Sequence, residues 1–276
     1  MVGPVLSLGA IGLFFGLALA YASQKFAVDT DPKVEAIEEI LPGANCGACG
    51  YPGCGAFAEA VANGETSIDG CTPGGEATAN NIADILGVSH DASQEKYIAE
   101  VVCLGGREHC KEQFDYNGIQ DCRAAMMYEN GFKACEYGCI GLGTCERVCP
   151  FDAITMQDNG LPHIDPELCK GCNRCKNICP KQVIRMINEN TRHHVRCNSL
   201  DKGKVVRKVC EVGCIGCGVC AKVCPVDAIT IENNLAYIDS HECINCGKCK
   251  EKCPRDCITS SLEYTSTSKN RIINQA

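Results

Sequence analysis

Two cysteine runs constrain the fold of this chain more than any other feature. Cys214-x2-Cys217-x2-Cys220-x3-Cys224-Pro225 and Cys243-x2-Cys246-x2-Cys249-x3-Cys253-Pro254 share one spacing. With two residues between successive cysteines, a tight loop aims three thiolates at one centre. The fourth, three residues further on and ahead of a chain-reversing proline, points the other way. This is the bacterial two-cluster iron–sulfur spacing, in which the fourth cysteine serves the neighbouring cluster. Cys214, Cys217, Cys220 and Cys253 are therefore expected around one 4Fe-4S cluster, and Cys243, Cys246, Cys249 and Cys224 around its partner. Between the runs, AITIENNLAYID reads as strand, turn and strand.

The same unit recurs upstream. ACEYGCIGLGTCERVCPFDAI (134–154) and VCEVGCIGCGVCAKVCPVDAI (209–229) are identical at fourteen of twenty-one positions, and AITMQDNGLPHID repeats the strand–turn–strand pattern with Asn159-Gly160 at its turn. The second upstream run is complete, with Cys169, Cys172, Cys175 and Cys179-Pro180. The first carries Leu142 where the downstream copy has Cys217, leaving Cys139, Cys145 and Cys149-Pro150. Cys135 is the nearest substitute in sequence. It predicts Cys135, Cys139, Cys145 and Cys179 on one cluster and Cys149, Cys169, Cys172 and Cys175 on the other. Cys210 sits at the same offset before a run that already has four ligands, so a cysteine at that offset does not by itself establish ligation. A three-iron cluster on Cys139, Cys145 and Cys179 stays open, as does an extra site in which Cys135 joins Cys103, Cys110 and Cys122. Cys197, Cys210 and Cys257 read as buried free thiols.

Ahead of these units, PGANCGACGYPGCGAF and a later cysteine place Cys46, Cys49, Cys54 and Cys71 in one short module. Four thiolates suffice for one cubane, and the glycines let backbone N–H groups approach its sulfurs. Zinc also accepts four thiolates, but its knuckles usually come as paired C-x2-C, and here the second half supplies one cysteine. The total is 26 cysteines with no Trp, a composition for small modules stapled by metal rather than by large apolar cores. Disulfides across runs this tight would close loops too small for a sensible network, and a reducing compartment is expected. A net charge of −8 makes nucleic acid an unexpected partner. No dinucleotide fingerprint, phosphate loop or acid–base pattern is present.

Residues 4–23 (PVLSLGAIGLFFGLALAYAS) are uncharged and apolar. They predict a single-pass cell-membrane anchor, with Lys25 placing the cluster domains on the cytoplasmic side; a cleaved signal peptide and a buried core helix are the competing readings. The expected fold class is α+β: an N-terminal transmembrane helix, a single-cluster 4Fe-4S module and two tandem two-cluster ferredoxin-like domains. The expected divisions are an anchor at 1–24, a cluster module at 32–90, a cysteine-containing connector at 91–134 and a first two-cluster domain at 135–190. A solvated basic linker at 191–207, a second two-cluster domain at 208–262 and a tail at 263–276 follow. About five 4Fe-4S clusters are expected, six if the extra site forms. Lys170, Arg174 and Lys176, or Lys248, Lys250 and Lys252, are candidate docking patches for an acidic partner.

An N-terminal apolar segment, NCGACGYPGC with Cys71, CRAAMMYENGFKACEYGCIGLGTCERVCPFDAI and the complete runs together resemble the B subunit of Rnf electron-transport complexes. The resemblance spans nearly the whole chain, and its departure from a minimal member is the second two-cluster unit after Val205. It implies a membrane complex passing electrons between reduced ferredoxin and NAD, coupled to sodium or proton movement. In that complex this subunit receives ferredoxin electrons, has no substrate-transforming site of its own and contacts the other subunits, soluble ferredoxin and the membrane. The alternatives are a ferredoxin-like subunit of another redox complex or a membrane-tethered redox sensor.

Overall fold

The computed structural model describes residues 2–25, 31–90 and 95–260; the tail expected at 263–276 lies outside them. In chain order the elements are α1 (Val2–Lys25), α2 (Pro32–Ile40), α3 (Cys54–Ala62), α4 (Gly75–Leu86), β1 (Tyr97–Val101), α5 (Cys122–Met126) and α6 (Thr144–Arg147). They continue with β2 (Ile154–Met156), β3 (Pro162–Ile164), α7 (Arg174–Ile178), β4 (Ile184–Asn188), β5 (His193–Val195) and α8 (Gly203–Val209). α9 (Val219–Lys222), β6 (Ile229–Glu232), β7 (Leu235–Ile238), α10 (Lys248–Glu251) and β8 (Ile258–Ser260) complete the order.

The expected single-pass anchor, and with it the cell-membrane placement with cluster domains facing the cytoplasm, is corrected here. Among the described residues no helix is long and apolar enough to cross a membrane.

The first module packs α2 against α3 and α4. Asp31 caps α2 by accepting from the Lys33 N–H at 2.9 Å, and Pro32 supplies the fixed φ suited to a first turn. Ile37, Phe57, Val61 and Ile82 form the core with Cys71 among them, and the Phe57 ring meets Tyr51 edge-on at 5.9 Å. Phe57→Ala should lower the module's stability by about 3–5 kcal/mol. The measurement is faster hydrogen exchange of the α3 amides in the full chain, and unchanged exchange would deny the ring this role.

Downstream, two similar units follow one another. Each has a hairpin between its runs: β2 with β3 in the register Ile154↔Ile164, and β6 with β7 in the register Ile229↔Ile238. Each also has a strand before its first run that pairs antiparallel with the strand after its second. β1 pairs with β4 (Val101↔Ile184), and β5 pairs with β8 (Val195↔Ile258). Residues 97–101, from the stretch read as a connector, thus complete the first unit's sheet.

Residues 193–195, from the stretch read as a solvated linker, do the same for the second. His193, His194 and Arg196 are buried rather than solvated. The physical reason is pairing: Arg196 meets the buried Glu100 of β1 in an ion pair, and His194 Nδ1 lies 3.6 Å from the same carboxylate. Its Nε2 donates to the Thr191 carbonyl at 2.8 Å, leaving Nδ1 toward Glu100. This buried cluster joins β1 of one unit to β5 of the next.

Candidate functional site

Short runs become cysteine cradles because of the residues between the cysteines. Immediately after the second position of each run stands a residue in the left-handed region: Gly143 (φ 68°), Asn173 (φ 63°), Gly218 (φ 74°) and Gly247 (φ 76°). That turn starts the short helices α6, α7, α9 and α10 and swings the third cysteine back toward the first. Leu142 therefore occupies a second-ligand position in backbone terms, and only its side chain is wrong.

Four cavities gather the thiols. Cys149, Cys169, Cys172 and Cys175 line one. Cys214, Cys217, Cys220 and Cys253 line another, with Cys257 beside them. Cys257 is within hydrogen-bonding distance of Cys253 at 3.5 Å. Its S–H bonds hold Cys214 and Cys253 down at about 6 and push Cys257 itself far up. Cys249 and Cys224 belong to the core of the same unit, and the thiols of Cys243 and Cys246 act electrostatically on Cys249. In the first module Cys54, Cys46 and Cys49 act likewise on Cys71.

The third cavity is lined by Cys139, Cys145 and Cys179, and its fourth cysteine is Cys122 rather than Cys135. Arg147 explains how. Its guanidinium donates to the Leu142 carbonyl at 3.0 Å and to the Gln120 carbonyl at 2.7 Å, tying the thiol-less turn to the segment that enters α5. The Cys122 N–H then donates to Thr144 Oγ1 at 2.7 Å, next to Cys145. Asp121 caps α5 and stands 3.7 Å from Arg147, and its bonds to Arg123 hold its carboxyl below the usual range. Sequence distance concealed Cys122, which lies twenty residues before Leu142; the signal available was its position at a capped helix start.

Cys135 lines the fourth cavity with Cys103, Cys110, Cys197 and Cys210. Cys110 and Cys210 hydrogen-bond thiol to thiol, which raises Cys110 and holds Cys210 down at about 6. Cys210 is a buried free thiol, as the sequence predicts, with the Cys110 thiol beside it.

The donor chemistry of these cavities fits iron–sulfur clusters. Burial lifts Cys145 and Cys175 to about 12 and Cys139 well above its ordinary value, so thiolates there need a cationic core to hold the charge. Backbone N–H groups already point at sulfur: Ala99 N–H at Cys169 Sγ and Cys139 N–H at Cys103 Sγ, each 3.4 Å. Such bonds and the surrounding burial tune cluster potential.

Comparison with known proteins agrees with this chemistry. An Fe-S cluster family model matches residues 41–73. The 4Fe-4S dicluster domain model matches 134–183, 168–228 and 213–257. The chain is 45% identical over 236 residues to the B subunit of the Na(+)-translocating ferredoxin:NAD(+) oxidoreductase complex of Acetobacterium woodii, covering 86% of this chain and 71% of that protein. It is 40% identical to the B subunit of the ion-translocating oxidoreductase complex of Methanosarcina acetivorans, covering 88% of this chain and 91% of the relative. It is 46% identical to the B subunit of the proton-translocating ferredoxin:NAD(+) oxidoreductase complex of Clostridium ljungdahlii, covering 83% and 81%.

Proposed function

Because the chain belongs to the family of B subunits of ion-translocating oxidoreductase complexes, we propose that electrons from reduced ferredoxin enter it at the downstream two-cluster unit. The chain is an electron-transfer subunit of an ion-translocating ferredoxin:NAD oxidoreductase complex, and other subunits of that complex are its partners. Its clusters are of the 4Fe-4S kind. When bound, each passes one electron at a time with little change in geometry. The protein's own work is to hold, space and tune them, with no substrate transformed on this chain.

Five ligand sets follow on this reading. Cys46, Cys49, Cys54 and Cys71 form the first, and Cys122, Cys139, Cys145 and Cys179 the second. Cys149, Cys169, Cys172 and Cys175 form the third. Cys214, Cys217, Cys220 and Cys253 hold the fourth, and Cys224, Cys243, Cys246 and Cys249 the fifth. Two of these residues carry the argument for where electrons enter: Cys217 and Cys246 are exposed, whereas each cysteine of the upstream unit is buried or half-buried. An electron leaves a donor most readily where the acceptor's edge reaches the surface. Around Cys246 stand the exposed Ile244, Lys248 and Lys252, an apolar contact flanked by positive charge suited to an acidic ferredoxin.

The test is oxidation of reduced ferredoxin by the assembled complex. Lys248→Glu/Lys252→Glu should lower kcat/KM about tenfold or more at low salt, with the difference shrinking as salt screens the surface. Lys170→Glu/Arg174→Glu, on the upstream patch, should change it little. A loss confined to the upstream variant would move the docking site there.

A further inference from the structure

We infer that Cys103, Cys110, Cys135 and Cys210 form a sixth 4Fe-4S site, which bridges the two ferredoxin-like units. The inference rests on the electron-relay reading and adds a centre that no single run encodes. Three of the cysteines come from the upstream half of the chain and Cys210 from the downstream unit.

Equivalent residues of the two repeats meet here. Cys135 and Cys210 occupy the same offset in ACEYGC and VCEVGC, and both line this one cavity. An offset that looked redundant beside a complete run is thus used twice by a single site. The backbone locks the three segments together. Lys111 N–H donates to the Val209 carbonyl at 3.0 Å, Glu211 N–H to the His109 carbonyl at 2.9 Å, and Ala134 N–H to the Lys111 carbonyl at 2.8 Å. The chain around Cys110 therefore lies between the segments carrying Cys135 and Cys210, and Cys110 pairs directly with Cys210 in an antiparallel bridge.

The thiols converge on bare backbone. A Cβ placed on Gly105 would lie 3.4 Å from Cys210 Sγ, 3.6 Å from Cys103 Sγ and 3.2 Å from Cys110 Cβ. Cys135 is coupled electrostatically to both Cys103 and Cys210. Cys197 lines the same cavity but turns elsewhere: its sulfur accepts backbone N–H bonds from Ser199 and Cys214, and its charge partners are Cys214 and Cys103. It serves as the non-ligand of the five.

The cavity matches the Cys122–Cys179 site in size and is close to those of the complete runs. A buried cation flanks the site and would offset an anionic cluster: Lys133 reaches the Gly105 carbonyl at 2.7 Å.

The position completes a path. The Cys139 N–H bonds the Cys103 sulfur, so a ligand segment of the upstream unit touches a ligand of the bridge, while Cys214 follows Cys210 by four residues on the downstream side. Electrons passing between the two units would cross this site.

The experiment is iron, acid-labile sulfide and zinc analysis, with electron paramagnetic resonance, on the full chain reconstituted anaerobically. The parent should hold about 24 irons, at roughly four per cubane, with no stoichiometric zinc. Cys103→Ser and Cys210→Ser should each lose about four irons, or about one with the appearance of a three-iron signal. Cys197→Ser should keep all of them. A parent with about 20 irons, or with about 20 irons and one zinc, overturns the sixth cluster and leaves the five-site relay standing. A loss on Cys197→Ser with none on Cys210→Ser overturns the ligand set. Little iron or sulfide in the parent would overturn the relay reading itself.

Discussion

Cys122→Ser should remove about four irons from the reconstituted chain, or about one with conversion of a cubane to a three-iron cluster, and Leu142→Cys should restore them. The expectation follows from the third cavity, where Cys122 stands with Cys139, Cys145 and Cys179. Rescue should work because Leu142 lies between the left-handed Gly141 and Gly143, as Cys217 lies between the left-handed Gly216 and Gly218. The backbone to aim a second thiol is already present. The same Leu142→Cys change should not rescue Cys135→Ser, since Cys135 lines a different cavity. Spin quantitation and iron content on the four variants measure this. Rescue of Cys135→Ser alone would return Cys135 to the place argued from its proximity in sequence. Arg147→Ala should weaken the Cys122 site selectively, because that guanidinium joins the Leu142 turn to the Gln120 carbonyl.

The second large effect concerns the junction between the units. Arg196→Met should destabilise the chain by about 3–5 kcal/mol, because it leaves the Glu100 carboxylate buried without its cation. Adding Glu100→Leu should recover most of the loss, since an apolar pair of similar volume replaces a buried ion pair at little net cost. An anaerobic urea titration followed by cluster absorbance compares the three chains. A single variant as stable as the parent, or a double variant no better than the single, would show that the pair does not hold the units together.

These predictions separate what was written locally from what the fold had to assemble. The complete runs were legible because their ligands lie two or three residues apart, so turn geometry alone brings them close. The hairpins were legible for the same reason: β2 with β3 and β6 with β7 are local pairings around short turns.

Long-range pairing was not legible. β1 reaches β4 across more than eighty residues and β5 reaches β8 across more than sixty, and five- or three-residue strands carry no periodic signal strong enough to announce such partners. The stretch TRHHVR looked like a solvated connector because its charge is what composition reveals. Its burial depends on a carboxylate, Glu100, supplied from another strand.

The cysteines divide along the same line. Sequence alone pointed to iron–sulfur clusters and offered a ligand set wherever a run was complete, because chelation within a loop is a local property. Only the tertiary structure brought Cys122 rather than Cys135 to the cavity of Cys139, Cys145 and Cys179, and brought Cys135 to Cys210. Those choices depend on which segments hydrogen-bond across the units, and one-dimensional distance does not encode that.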